Sequence, residues 1–223
     1  MIPKLLAYCK QHQIFKESTI CGLHKPCIAI RQCTPCSTQS VIDYDSFKEW
    51  YCAKYKSRTV SSVDALILDP KAICLIEIKG WDEFLKHQSK CLEKAVNKQL
   101  NKYDFESKYS DSLRLLINLT DSTCFEFSSD ERSAFHATPK YYLLVTDIDY
   151  REKGVEYLNE SLGFLAESSS TKNREDHCLD KTKEHFDRLK SVDMLAKYGV
   201  ANPINQHIIY CRDFDQEISQ LLQ

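Results

Sequence analysis

The stretch SVDALILDPKAICLIEIKG, residues 62–80, decides the fold of this 223-residue chain. It holds two apolar runs of strand length, rich in β-branched residues, on either side of Asp69-Pro70-Lys71. Asp-Pro is typical of turns, so the stretch predicts an antiparallel β-hairpin. Because apolar residues alternate onto both of its faces, a charged residue inside it needs a partner or a ligand.

The charged residues of this hairpin are Asp64, Glu77 and Lys79. A loop of two or four residues would place Asp64 directly opposite Glu77, whereas a loop of three would shift the register by one. Opposed residues have Cβ atoms about 5 Å apart, and two carboxylates that close repel each other unless a cation lies between them. Mg²⁺ or Mn²⁺ suits such hard oxygen ligands. Lys79 shares the face of Glu77, where its ammonium can orient a water molecule or stabilise negative charge on a phosphate.

Asp64, twelve intervening residues and Glu77-Ile78-Lys79 resemble the signature of the PD-(D/E)XK nuclease superfamily, with Val63 in place of the usual proline. The resemblance implies an α/β fold with a restriction endonuclease-like αβββαβ core, a central mixed sheet flanked by helices. It also implies that Asp64, Glu77 and the carbonyl of Ile78 bind Mg²⁺ or Mn²⁺ while Lys79 assists the attack on a phosphodiester bond. DNA is favoured over RNA as the partner.

A helix is predicted from Asp82 to about Tyr109, because this segment lacks Pro and Gly and carries an apolar stripe at helical spacing. Gln99 and Tyr103 end that stripe and are similar to the QxxxY motif of the RecB-like branch, whose Gln and Tyr help to position DNA and the site residues. An amphipathic helix that carries Gln and Tyr by coincidence is the alternative.

The same helix carries a row of lysines four residues apart, and both a phosphate-binding ridge and an ordinary solvated face are consistent with this spacing. The row consists of Lys86, Lys90, Lys94, Lys98 and Lys102.

An earlier helix is predicted over Asp43 to Lys56, with Phe47, Trp50, Tyr51 and Tyr55 as its apolar stripe and Asp45 or Ser46 as its cap. Glu49 on this helix precedes Asp64 by fifteen residues, where several superfamily members place a further carboxylate. We expect Glu49 to be either a metal ligand or a surface residue.

The remaining segments are expected to extend the sheet and to cover it. Strands are predicted over 140–147, 206–211 and 113–119, loops over 128–139 and 167–183, and a helix over 181–198 that stops at Gly199. We divide the chain into a cysteine-containing N-terminal extension, 1–42, and a nuclease-like domain, 43–223, which together form one compact unit.

Four cysteines, Cys21, Cys27, Cys33 and Cys36, cluster near the N-terminus with His24 among them. They could hold Zn²⁺ or an iron–sulphur cluster, although only Cys33 and Cys36 have the spacing of a metal-binding pair. RecB-like nucleases with such clusters have cysteines on both sides of the nuclease core, whereas these all precede it. Ordinary thiols are the alternative.

The composition of the chain indicates its cellular compartment and limits how it can attract a nucleic acid. Eleven cysteines, no signal peptide and no membrane-length apolar run favour a reduced, intracellular setting, cytoplasmic or nuclear. A delivered toxin is also compatible with these features. A net charge of −2 provides no overall basic field, so any nucleic acid must be attracted by local patches. A non-catalytic nucleic-acid- or protein-binding module on the same fold is the alternative to an enzyme.

Overall fold

The structure, a computed structural model, describes residues 1–24, 37–81, 84, 92–121, 126–147, 177–185 and 205–223. Six strands form a single sheet in chain order: β1 (Glu17–Ser18), β2 (Val41–Asp43), β3 (Ala65–Leu68), β4 (Ile73–Lys79), β5 (Lys140–Thr146) and β6 (Asn205–Tyr210). Neighbouring strands from β1 to β4 are antiparallel, and β4, β5 and β6 are parallel. The α/β mixed sheet and the strands predicted near residues 140–147 and 206–211 are therefore confirmed.

The β3–β4 hairpin has a register that brings Asp64 beside Glu77. Ala65 lies opposite Ile76 and Leu68 opposite Ile73. Asp64 directly precedes this paired segment, and its main-chain N–H donates a 3.0 Å hydrogen bond to the carbonyl of Ile76. The loop has four residues, 69–72, and is closed by two reciprocal main-chain hydrogen bonds between Asp69 and Ala72, of 3.0 and 3.1 Å. Of the two loop lengths that the sequence predicts, the structure has the four-residue one.

Helices cover both faces of the sheet and bury it from two sides. They are α1 (Ile2–Gln11), α2 (Ile20–Leu23), α3 (Tyr44–Tyr55), α4 (Leu92–Tyr103), α5 (Phe105–Asp121), α6 (Ser129–Ala137) and α7 (Phe214–Leu221), with residues 177–185 also helical. Helices α1 and α3 to α6 pack on the face that carries Ile73 and Leu75, and α2 and α7 pack on the face that carries Cys74, Ile76 and Ile78. Strand β4 is thus buried on both sides, as its apolar runs predict.

Helix α3 follows β2 without a loop, and this order differs from the expected αβββαβ core. Its cap is Asp43, whose carboxylate accepts hydrogen bonds from the main chain of Asp45 and Ser46, so the predicted caps at those two residues were wrong. The third antiparallel strand is β2, which precedes the helix, and residues 57–63 between α3 and β3 form no strand. Because β1 and β2 belong to the sheet, most of the N-terminal extension is continuous with the rest of the fold.

Residues 113–119 are part of helix α5, so the strand predicted there was wrong. The buried positions of α5 include Tyr109, Ser112, Leu113, Leu116 and Thr120, which follow helical spacing. A short apolar run such as Leu115 to Leu119 fits a buried helix as well as a strand, and the polar residues around it decide for the helix.

Residues 129–137 are helix α6, so the loop predicted over 128–139 was also wrong. Ser128 and Glu131 form a reciprocal capping box at its start. At its other end the buried ammonium of Lys140 donates to the carbonyls of Phe135, His136 and Thr138, which satisfies carbonyl groups that a helix end leaves unpaired.

The helix predicted from 82 to 109 is interrupted at Asp104, whose φ of 46° lies in the left-handed region. Helix α4 ends at Tyr103 and α5 begins at Phe105. Residues 177–183 are helical where a loop was expected, and the rest of the helix predicted over 181–198 lies outside the described residues, apart from 181–185. In the described part of the chain no helix is long and apolar enough to cross a membrane.

Ser112 connects α5 to the hairpin, and we predict that this contact contributes measurably to stability. Its buried hydroxyl accepts a 3.0 Å hydrogen bond from the main-chain N–H of Val63, the residue before Asp64. Ser112→Ala leaves that N–H buried and unpaired, so the free energy of unfolding in urea should fall by about 1–3 kcal/mol.

Ser110→Ala on the same helix is the matched control, since that partly buried hydroxyl donates only to Ser107 within α5. It should change stability by less than about 0.5 kcal/mol. Equal losses in the two variants would show that the Ser112–Val63 contact contributes nothing.

Candidate metal-binding and catalytic site

Three parts of the chain bring charged side chains together at one end of β4. Asp64 precedes β3, Glu77 and Lys79 lie on β4, and Lys108 lies one turn into α5. The hairpin register brings Asp64 to Glu77, and the chain reversal at Asp104 directs the start of α5 over the same strand. Two carboxylates and two ammonium groups therefore meet beneath the helical layer.

Asp64 is fixed through one of its carboxylate oxygens. Its Oδ2 accepts a 2.7 Å hydrogen bond from the main-chain N–H of Ile78 and lies 3.3 Å from the Nζ of Lys79. The side chain is 30% exposed. Asp64 is thus the more open of the two carboxylates and faces the accessible side of the site.

Glu77 has no exposed surface, and its two carboxylate oxygens differ in their contacts. Oε1 contacts both Lys79 and Lys108, at 2.5 Å in each case. Oε2 is buried and has no hydrogen-bond partner within the described residues. Burial and the charge of Asp64 raise the pKa of Glu77 to about 7, against the opposing charges of the two lysines. A buried oxygen without a partner is costly, so Oε2 is available to a ligand.

Lys79 lies where the three predicted metal ligands converge. Its Nζ is 2.5 Å from Oε1 of Glu77, 3.3 Å from Oδ2 of Asp64 and 3.0 Å from the carbonyl oxygen of Ile78. Burial alone would lower the pKa of Lys79, but the charges and hydrogen bonds of Glu77 and Asp64 raise it. One cation is therefore already held by one oxygen of each predicted ligand.

Gln99 and Tyr103 both reach this cluster from α4. The ring of Tyr103 is buried and lies 5.4 Å from the Lys79 ammonium, a cation–π contact. Burial raises the pKa of Tyr103, while a hydrogen bond from Gln99 and the charge of Lys79 oppose the shift. Gln99 thus contacts Tyr103, and Tyr103 contacts Lys79, while the assignment of Gln99 and Tyr103 to substrate binding stays a prediction.

The oxygen ligands fit a hard divalent cation on two observations. Asp64, Glu77 and the carbonyl of Ile78 supply only oxygen atoms, and Oε2 of Glu77 has an unused lone pair in a buried position. No group of three His, Cys, Asp or Glu side chains is near enough to hold a metal in the part of the chain that the structure describes. Two carboxylates and one carbonyl are therefore all that the described protein offers, and water or a phosphate would complete the coordination.

Glu49 is exposed on α3, and none of its described contacts joins it to Asp64 or Glu77. Asp45, one turn earlier, is nearer the site: it accepts a 2.8 Å hydrogen bond from Ser62 and pairs with Lys48. Burial alone would raise the pKa of Asp45, but these contacts and the charge of Lys108 lower it.

The predicted lysine row is exposed where it is described. Lys94, Lys98 and Lys102 are all solvent-exposed on α4, whereas Lys86 and Lys90 lie outside the described residues. This arrangement is compatible both with a phosphate-binding ridge and with a solvated face.

Only one of the four clustered cysteines can be placed. Cys21 on α2 is partly buried, and Cys27, Cys33 and Cys36 lie outside the described residues. His24 lies against β4, because a side chain added at Gly80 would begin 2.9 Å from its Nε2. The prediction of a zinc or iron–sulphur site therefore stays a prediction.

Lys108 is a site residue that the sequence does not predict. On one continuous helix from 82 to 109 it would follow Tyr103 by five residues, and its side chain would point well away from the Tyr103 face. The break at Asp104 changes that direction, and neither Gly nor Pro marks the break.

No protein-family model, curated protein or solved structure matches this chain. The resemblance to PD-(D/E)XK nucleases therefore depends on the residues and their geometry alone.

Proposed function

We propose that this protein is a metal-dependent nuclease that hydrolyses phosphodiester bonds in DNA in preference to RNA, on a variant of the restriction endonuclease-like core in which the third antiparallel strand, β2, precedes helix α3. The observation that carries the proposal is the convergence of Asp64, Glu77 and the carbonyl of Ile78 on a single cation, the Lys79 ammonium. Three oxygen atoms that already hold one positive charge form a site into which Mg²⁺ or Mn²⁺ fits.

In this proposal each residue has a separate role. Asp64, Glu77 and the Ile78 carbonyl would hold the metal ion, and Oε2 of Glu77, which has no hydrogen-bond partner among the described residues, would be its buried ligand. Lys79 yields its carboxylate contacts in part and directs its ammonium to the attacking water and the phosphate. A metal ion bound there would lower the pKa of a water molecule and polarise a phosphoryl oxygen.

Gln99 and Tyr103 position Lys79 and the substrate in the same scheme. The Tyr103 ring restricts the Lys79 ammonium on one side, and Gln99 restricts the Tyr103 hydroxyl. Held in this way, Lys79 loses less conformational freedom when the transition state forms.

The exposed lysines of α4 are proposed to contact the phosphate backbone. Lys94 and Lys98 lie on the solvent side of the helix whose other side carries Gln99 and Tyr103. A nucleic acid that reaches the site could therefore run along α4, and Lys90, outside the described residues, would continue the row. Since the chain has a net charge of −2, such a local basic surface is needed to attract the substrate.

Our first functional prediction concerns cleavage. The purified protein should cut single- or double-stranded DNA with Mg²⁺ or Mn²⁺ at pH 8, above the pKa of about 7 of Glu77, and chelation should stop the reaction. Asp64→Ala or Glu77→Ala should abolish cutting because each removes a metal ligand. Lys79→Ala should reduce the single-turnover rate by about two orders of magnitude or more.

Asp69→Ala is the matched control, because it removes a carboxylate from the turn of the same hairpin, at the far end from the site. It should cut at the parental rate. Parental activity in Asp64→Ala or Glu77→Ala would contradict the assignment, and nucleic-acid binding without cutting under every condition would favour the non-catalytic module. Parallel assays with RNA test the preference for DNA.

A second prediction tests the lysines of α4. The double substitution of Lys94 and Lys98 by Gln should weaken DNA binding and make the plot of log affinity against log salt shallower by about 1.5–2, because fewer counterions are released. The single-turnover rate at saturating DNA should change little. Binding would be followed by fluorescence anisotropy from about 50 to 200 mM salt.

Lys71→Gln, which removes one positive charge at the exposed hairpin turn, is the control and should keep the parental slope. If the double variant also keeps the parental slope, Lys94 and Lys98 do not contact phosphate and are ordinary solvent-exposed residues.

A further inference from the structure

Lys108 is held at the site by one ion pair. Its ammonium lies 2.5 Å from Oε1 of Glu77, its single ion-pair partner in the described part of the chain, and the more distant carboxylate of Asp45 also attracts it. An ammonium has three N–H donors, so two remain for other acceptors. The side chain is 21% exposed, which gives those donors access to solvent.

Lys79 is held far more firmly than Lys108, although both contact the same oxygen. Its ammonium has three oxygen partners and the ring of Tyr103. If one of the two lysines leaves Glu77, the geometry favours Lys108, because it gives up a single ion pair and has a flexible four-carbon stem.

A divalent cation on Glu77 would conflict with Lys108. The ammonium lies on Oε1 and the free lone pairs lie on Oε2 of the same fully buried carboxylate. Two cations that close repel each other strongly away from bulk water. Without a metal, the positive charges of Lys79 and Lys108 already balance the negative charges of Asp64 and Glu77.

We propose that Lys108 is an exchangeable counter-ion of Glu77: it competes with the metal ion in the free protein and moves to a backbone phosphate when nucleic acid binds. The step rests on the proposed nuclease function. A phosphate oxygen replaces the carboxylate oxygen as partner of the ammonium, and Glu77 is released for the metal ion. Metal ion and nucleic acid therefore bind cooperatively, and the site is fully assembled only on its substrate.

The exposed start of α5 is consistent with this exchange. Asp104 and Glu106, on either side of its first residue, are exposed, so this end of the helix meets solvent.

Free Mn²⁺ measured by electron paramagnetic resonance tests the competition. With the full chain at pH 8 and no nucleic acid, Lys108→Gln should bind Mn²⁺ about tenfold more tightly than the parent, an ordinary size for coupling between two ligands. Lys71→Gln removes the same charge from the exposed hairpin turn and should leave the affinity unchanged.

The same titration with a saturating phosphorothioate oligonucleotide, which resists hydrolysis, tests the exchange. Parent and Lys71→Gln should gain about tenfold in Mn²⁺ affinity, whereas Lys108→Gln should gain little, because its competitor is already absent. Oligonucleotide alone corrects for Mn²⁺ bound by the nucleic acid.

Parental Mn²⁺ affinity in Lys108→Gln, or an oligonucleotide gain equal in parent and Lys108→Gln, would overturn the inference. Weaker Mn²⁺ binding by Lys108→Gln would overturn it too, because Lys108 would then support the site. Failure of the nuclease proposal has a different signature: either Mn²⁺ binds with the expected coupling and no substrate is cut, or no variant binds Mn²⁺.

Discussion

A carboxylate without exposed surface, Glu77, is the point on which the surrounding structure depends. Its negative charge can be buried on a strand covered from both sides only because Lys79 and Lys108 supply positive charge at 2.5 Å. One of its oxygens nevertheless has no partner among the described residues. This oxygen is the one to which the proposed metal ion would bind.

Three local features of the fold position the residues of the site. The four-residue hairpin loop sets the register that brings Asp64 beside Glu77. The Ser112–Val63 hydrogen bond fixes α5 to the strand that follows Asp64, and the left-handed residue Asp104 turns the chain so that Tyr103 and Lys108 approach β4 from two helices. Because these devices are distant in sequence and meet at one strand end, the site and the stability of the core are coupled.

Local patterns in the sequence were sufficient for the hairpin, its register and the pairing of Asp64 with Glu77, since loop length and alternation determine all three. The capping box of Ser128 and Glu131 was equally readable, but the polar composition of that segment outweighed it. Lys108 could not have been found in the same way, because its position depends on a helix break without Gly or Pro. The apolar run ending at Leu119 was ambiguous for a physical reason, as a buried helix and a buried strand both accept it.

The most direct test of the proposed metal site is to locate a bound metal ion. Crystals of the full chain soaked in Mn²⁺ at pH 8, with anomalous data collected near the manganese edge, would locate the ion without reference to activity. The account predicts one strong anomalous peak in contact with Asp64, the Ile78 carbonyl and Oε2 of Glu77, with the ammonium of Lys79 displaced from at least one of its three oxygens. A well-ordered site without an anomalous peak, and with both lysines still on Glu77, would contradict it and leave the cluster as a buried ion-pair network.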